Sequence, residues 1–245
     1  AENSDIWAVV EQLAYFLDVK NRSQILAWLN DLLCDEPLLL DSKGNAIFRH
    51  RFLPLANFKG DLNSLYSDIL KTLFNTESAS HLYLHNIKKA SGEVALKVGN
   101  NDYFALINVG DSSELLKSAV ELENVSVEQD EFSDGLFGTI NQDSSTLNLL
   151  IGSRKFTEGW SSWRVSAMGL LNMGRGEGSQ IIQLFGRGVR LKGRNFSLRR
   201  TPINEMPKGL GLDKLETLNI FGIKADYMAK FREYLQDEGI QSPDE

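Results

Sequence analysis

The apolar positions of this chain follow two patterns, and the change falls near residue 101. Between Asp5 and Leu33 they recur at helical spacing, first Ile6, Val9, Val10, Leu13, Phe16 and Leu17, then Ile25, Leu26, Leu29, Leu32 and Leu33. Residues three and four apart share one face of a helix, so this stretch predicts two amphipathic helices. Pro37 ends the pattern. Leu38–Leu40, the polar turn Asp41–Asn45 with Gly44, and Ala46–Phe52 then predict a β-hairpin. A further helix is predicted over Leu62–Phe74, and strands over His81–Ile87 and Val94–Val98.

After Asn101 the runs become short and continuously apolar: Tyr103–Val109, Leu147–Ile151, Val165–Leu171 and Thr217–Ile223. Helical stretches alternate with them, one reaching Val120, one starting near Ser179 and one from about Lys224 to Gln236. Strands that are apolar throughout are buried on both faces, so the pattern predicts an α/β domain with a parallel sheet and helices on both sides. The expected division is a mainly helical accessory region with a hairpin over 1–100 and an α/β domain over 101–245. In such sheets the loops at the C-terminal ends of the strands build the binding site.

Composition narrows this picture modestly. At 245 residues and 42% hydrophobic, the chain can bury a substantial core. A net charge of −7 argues against a protein that coats nucleic acid without regard to sequence. The charge is unevenly spread, however. No acidic residue occurs from Gly178 to Asn204, where Arg187, Arg190, Lys192, Arg194, Arg199 and Arg200 lie, while Glu121–Asp134 and the C-terminal tail are acidic. A local basic channel is compatible with a negative total, because steering follows the local field. Cys34 is alone, which excludes an internal disulfide or a cysteine-based zinc site and points to a reducing cytoplasm. No apolar run approaches the roughly 20 residues of a membrane span, and no signal-peptide pattern opens the chain. A start without methionine and a polar end over Gln241–Glu245 lead us to expect a piece of a longer protein.

The most specific chemistry lies in Gln183-Leu184-Phe185-Gly186-Arg187-Gly188-Val189-Arg190. On a helix, positions i, i+4 and i+7 fall within roughly 60° of one another. Gln183, Arg187 and Arg190 would therefore share one face, with Ile181, Ile182, Phe185 and Val189 clustered opposite. Arginine keeps its charge and binds phosphate oxygens bidentately, so this face suits a polyphosphate. The alternative is a solvated basic face. Gly186 and Gly188 each weaken a helix by roughly 1 kcal/mol, so helix stability does not account for them. A second motif, Lys155-Phe156-Thr157-Glu158-Gly159-Trp160, follows the Leu147–Ile151 strand, where an α/β sheet presents functional loops. There Thr157 can donate to a phosphate oxygen and Gly159 lets backbone approach a ligand.

With both motifs in place, the chain resembles the C-terminal RecA-like lobe of superfamily 2 helicases and translocases. Phe156–Trp160 is similar to their motif V, and Gln183–Arg190 to motif VI in its Gln-x-x-Gly-Arg-x-x-Arg form. The Glu-Gly-Trp loop and the Gly-Arg-Gly-x-Arg-Leu ending most resemble the Res subunit of type III restriction enzymes. The resemblance is dense over Leu147–Lys192, extends over Tyr103–Arg200 and is not seen in residues 1–100. It implies a RecA-like, P-loop NTPase-like fold, with ATP and Mg²⁺ bound jointly by this lobe and an N-terminal RecA-like lobe. Arg187 and Arg190 would contact the γ-phosphate, and Gln183 would position the nucleotide or the attacking water. Glu158, Gly159 and Gly186 fall on the nucleotide side, and Lys155, Thr157, Trp160 and Arg164 on the nucleic-acid side. The implied partners are DNA, with RNA as the alternative, the N-terminal lobe, and a modification or specificity subunit. Ser161 departs from the family, where Asp commonly follows the Gly-Trp pair, which puts a ribose contact there in doubt.

Several elements are missing from the sequence. No Gly-x-x-x-x-Gly-Lys-Ser/Thr loop occurs, and no Asp-Glu element follows an apolar strand, so this chain alone is expected to be inactive toward ATP. Gly174–Ser179 lacks the lysine of a phosphate loop and reads as a connection. His81 and His85 have a metal spacing only on a helix, whereas their segment alternates like a strand. Glu128–Asp134 lacks the spacing of a nuclease and reads as a solvated acidic loop. The competing function is a non-catalytic nucleic-acid or protein docking module that kept the helicase-lobe fold.

Overall fold

The computed structural model describes residues 3–34, 40, 44–46, 52, 55, 61–152, 161–172, 186, 197, 200–208 and 216–223. The chain divides into two compact units. One comprises Ile6–Thr139 and Ser144–Ile151, the other Ala1–Asp5, Ile140–Asp143 and Gly152–Glu245.

Helices and strands of the first unit follow the hydrophobic spacing closely. Helix α1 spans Asn3–Leu17 and buries Ile6, Val10, Ala14 and Leu17, one residue per turn along a single stripe. A 3₁₀ turn over Val19–Asn21, capped by the Asp18 carboxylate on the Lys20 amide, leads into α2, Arg22–Leu33. Helix α3, Leu62–Phe74, starts at Asp61, whose carboxylate accepts from the Ser64 amide at 2.7 Å. It ends at Asn75, in the left-handed conformation at φ 53°. Leu65, Tyr66, Leu70 and Phe74 form its buried face. Phe74 packs between Phe16 and Phe104, with ring centroids 5.3 and 5.0 Å away. Of the hairpin expected between Leu38 and Phe52, the described part is an antiparallel bridge from Leu40 to Ala46, with Gly44 at φ 82°. The remainder lies outside the described residues.

Five strands form one sheet in the order β4-β1-β2-β3-β5: β1 Leu82–Ile87, β2 Glu93–Val98, β3 Ala105–Asn108, β4 Val125–Asp130 and β5 Leu149–Gly152. The sheet is mixed, which corrects the expectation of a parallel one. β1 pairs antiparallel with β2 and β2 with β3, while β1 and β4 run parallel. The cause is connection length. Lys88–Gly92 and Gly99–Phe104 are too short for anything but antiparallel neighbours, whereas helix α4, Ser113–Ala119, lies in the long crossover to β4. The boundary expected at residue 100 falls between β2 and β3, which are hydrogen-bonded to each other.

Strand β4 itself was not foreseen. Glu128–Asp130, read as a solvated loop, is the second half of a strand; Glu131–Asp134 is irregular. Its acidic outer positions hide the alternation that Val125 and Val127 begin. On one face of the sheet Leu82, Leu84, Val94, Leu96, Val98, Ala105, Ile107 and Val125 join the buried faces of α1, α3 and α4 in a single core. Registers place Tyr83 and His85 of β1, Lys97 of β2, and Ser126, Glu128 and Asp130 of β4 on the other face.

In the second unit, β6 (Ala167–Leu171) and β7 (Asn219–Ile223) pair in parallel, Ala167 opposite Asn219 through Leu171 opposite Ile223. Both strands lie within the runs expected to form them. Along β6, Met168 and Leu170 are buried while Ala167 and Gly169 are exposed. This is the alternation of a strand buried on one face, where the sequence predicts burial on both. Among the described residues no helix is long and apolar enough to cross a membrane.

Candidate nucleotide and nucleic-acid site

The two motifs occupy defined places in the chain of elements. β5 ends at Gly152, immediately before the segment that holds Lys155–Trp160. The register of β5 is fixed at its first residues. Asn148 and Leu149 both donate their amides to the Phe104 carbonyl, at 2.7 and 3.1 Å. The Asn148 side-chain amide donates to the Thr72 and Leu73 carbonyls at the end of α3 and to Asn75 Oδ1. Asn75 in turn donates to the Tyr103 and Thr146 carbonyls at 3.2 and 2.9 Å. One left-handed asparagine thus closes α3 and ties its end to the starts of β3 and β5. Asparagine suits the position, because it tolerates positive φ and offers both a donor and an acceptor.

Gln183, Arg187 and Arg190 fall in the crossover between β6 and β7, and like Lys155, Thr157, Glu158, Gly159 and Trp160 they lie outside the described residues. Gly186 is described: it is helical and exposed, and a Cβ built on it meets nothing within 4 Å. Packing among the described residues therefore does not require glycine there. Arg164 is held by its own unit. Its guanidinium donates to the Ile140 carbonyl at 2.8 Å, and its amide donates to Oγ of the buried Ser162 at 3.2 Å. Next to it, the Ser161 carbonyl accepts from the Asn141 side chain at 2.6 Å. Trp163 is half-exposed. In the basic stretch, Arg200 donates to Thr217 Oγ1 at 3.3 Å, and Glu216 accepts from the Thr201 amide and hydroxyl at 2.7 and 2.6 Å. The two Thr201 bonds hold the Glu216 carboxyl below the usual range. They close the approach to β7.

The polar face of the five-stranded sheet carries a second set of interacting groups that sequence reasoning did not assemble. Tyr103 donates its hydroxyl to Asp130 Oδ2 at 2.7 Å, and Asp130 also accepts from the Ser133 hydroxyl at 2.6 Å and from the Phe132 and Ser133 amides at 2.9 and 2.8 Å. Burial works against the Asp130 charge, but the Ser133 hydroxyl and amide, the Tyr103 hydroxyl and the Phe132 amide outweigh it and hold the carboxyl well below its usual range. Burial, then the Asp130 carboxylate, pushes the Tyr103 hydroxyl up. His81 Nε2 lies 2.8 Å from Ser126 Oγ. The only sequence signal for this set was the alternation of His81–Ile87, which puts Tyr83 and His85 on one face. Their partners on β4 sit in a strand hidden by its charges.

Asp130 therefore ends β4 by collecting four donors on one carboxylate. Asp130→Asn is expected to lower stability by about 2 kcal/mol, the scale of hydrogen bonds to a charged group. The depressed carboxyl also fixes the pH dependence. An unfolded chain binds this proton at the ordinary value and the folded one resists it, so the contribution is present above about pH 4 and is lost as the pH falls further. Denaturant titrations at pH 7, 5 and 3 would show the deficit of the Asn variant shrinking with acid.

Compared with family models, with curated proteins and with solved structures, the chain matches none. Among the described residues no group of three or more His, Cys, Asp or Glu side chains is placed to hold a metal ion.

Proposed function

We propose that the chain is a C-terminal lobe of an ATP-driven DNA helicase or translocase, similar in kind to the Res subunit of type III restriction enzymes. The observation that carries this reading is the position of the two motifs relative to the strands. Lys155–Trp160 begins three residues after the end of β5, and Gln183–Arg190 falls in the connection between the parallel pair β6 and β7. Loops at strand C-terminal ends and crossovers between parallel strands are where α/β folds hold phosphates.

In this role Arg187 and Arg190 offset charge on the γ-phosphate, and Gln183 orients nucleotide or water. Glu158, Gly159 and Gly186 adjoin the nucleotide, while Lys155, Thr157, Trp160 and Arg164 face the nucleic-acid backbone. ATP with Mg²⁺ is completed by an N-terminal lobe that supplies the phosphate loop. The chain's own contribution is positioning and charge.

A docking module with the same fold would bind nucleic acid through its basic stretch alone. The two roles separate in a binding experiment on the full-length protein. A translocase lobe should change its DNA affinity by tenfold or more between ATP-analogue and ADP states, since coupling of that size is 1.4 kcal/mol or more. Salt-sensitive binding that is identical in both nucleotide states would establish the docking module instead.

A further inference from the structure

His85 is one of two residues in the described sheet with a buried side-chain polar atom that lacks a hydrogen bond, the other being Asn108. It lies in the middle of β1, opposite Glu128 of β4 and Ala95 of β2, and is only 7% exposed. Its Nε2 is buried and makes no hydrogen bond among the described residues; the nearest carboxylate oxygen, Glu128 Oε2, is 3.4 Å away. The ring stands edge-on to Tyr103, centroids 5.5 Å apart, with Tyr83 at 6.4 Å. Every charged neighbour can be named. Lys97 reaches over the Tyr103 ring from β2, at 5.9 Å, and opposes a charge on His85. Glu128 and Asp130 face it from β4 and favour one. His81, just before β1, is engaged with Ser126. Burial is the largest influence, and with Lys97 it outweighs the two carboxylates, so the folded imidazole stays neutral below its usual titration point.

The geometry couples this ring to one strand. Among the described strands, β4 is the last of the sheet on its side, and β1 is its one strand neighbour. Three side-chain contacts cross from β4 to its neighbours on this face: Ser126 to His81, Glu128 to His85, and Asp130 to Tyr103. The middle one has no aligned hydrogen bond. A proton on His85 would place a charge at a buried position where Nε2 has no aligned acceptor among the described residues.

We propose that the seam between β1 and β4 is an acid-operated latch, closed while His85 is neutral and opened when it is protonated. The sign follows from the two states. An opened seam binds the proton at the ordinary imidazole value and the closed seam resists it, so closure is fully favoured above about pH 6.5 and weakens as the pH falls toward the folded value. If the closed form takes up no proton over the interval, the opening constant rises about tenfold between pH 7.5 and 5.5. The Asp130 carboxyl, held low, does not titrate in that window.

Amide hydrogen exchange on the full chain, corrected for intrinsic rate, reads this directly. Protection of Val125–Asp130 should fall about tenfold from pH 7.5 to 5.5, while protection of Ala105–Asn108 in β3 holds steady. His85→Gln should remove the pH response of β4, and His81→Gln should leave it. Because His85→Gln can unsettle the strand by itself, the imidazole of the unsubstituted protein should also be titrated by NMR. Equal changes in β3 and β4, a response that survives His85→Gln, or titration of His85 at 6.5 or above would each overturn the latch.

Discussion

Gly92→Ala should unfold this protein more readily than any other single methyl group added to the described residues. Gly92 closes the turn between β1 and β2 with φ 81°, a left-handed conformation that costs an L residue about 1–2 kcal/mol. A second obstacle is added at this position. A Cβ placed there would stand 1.8 Å from the Val109 carbonyl oxygen, which is backbone and has no rotamer to retreat into. That carbonyl belongs to the residue whose own amide donates to the Gly92 carbonyl at 2.9 Å, so moving it away breaks the contact that joins the turn to the end of β3. The combined cost is about 4 kcal/mol, in the range reserved for strained backbone with steric overlap. Gly99→Ala supplies the control. Gly99 also has positive φ, 55°, but nothing lies within 4 Å of a Cβ there, and the expected loss is only about 1 kcal/mol. Denaturant unfolding of the two variants separates strain from overlap. Equal losses would mean that the Val109 carbonyl yields freely.

Those glycines illustrate which parts of the fold were legible. Helices α1 to α3 were readable because their apolar residues repeat with the helical period. The strands β1, β2, β3, β5, β6 and β7 were readable as short apolar or alternating runs. Their pairing was not. Nothing in Tyr103–Val109 says that β3 lies antiparallel to β2, since a continuous apolar run fits a buried strand in either sense. The information resided in the brevity of Lys88–Gly92 and Gly99–Phe104, which forces meander pairing. β4 was missed for the opposite reason. A strand at the side of a sheet can carry Glu128, Gln129 and Asp130 because part of it meets water, and charge then masks its period. The polar face, with Tyr103, Asp130, His85 and Glu128 drawn from separate segments, is a product of that pairing and has no signature along the chain. The helicase-like resemblance rests on residue types at fixed spacing within single segments, so it draws on no long-range pairing.

The proposed role concentrates its largest effect on two guanidinium groups. A phosphoryl group in flight spreads charge over its equatorial oxygens, and a fixed cation placed against it stabilises that state more than the bound nucleotide. An arginine supplied across a cleft contributes 10³–10⁵ in rate, about 4–7 kcal/mol. Arg187 and Arg190, three residues apart in sequence, would share this task with Gln183, four residues before Arg187. Lysine at either position keeps the charge but loses the planar fork, so Arg187→Lys should recover little activity. The decisive measurement is steady-state ATP turnover, with saturating DNA, by the full-length protein and its Arg187→Ala variant. The account predicts a loss of a thousandfold or more in kcat, with nucleotide affinity changed far less. Turnover by Arg187→Ala within tenfold of the unsubstituted protein would contradict it.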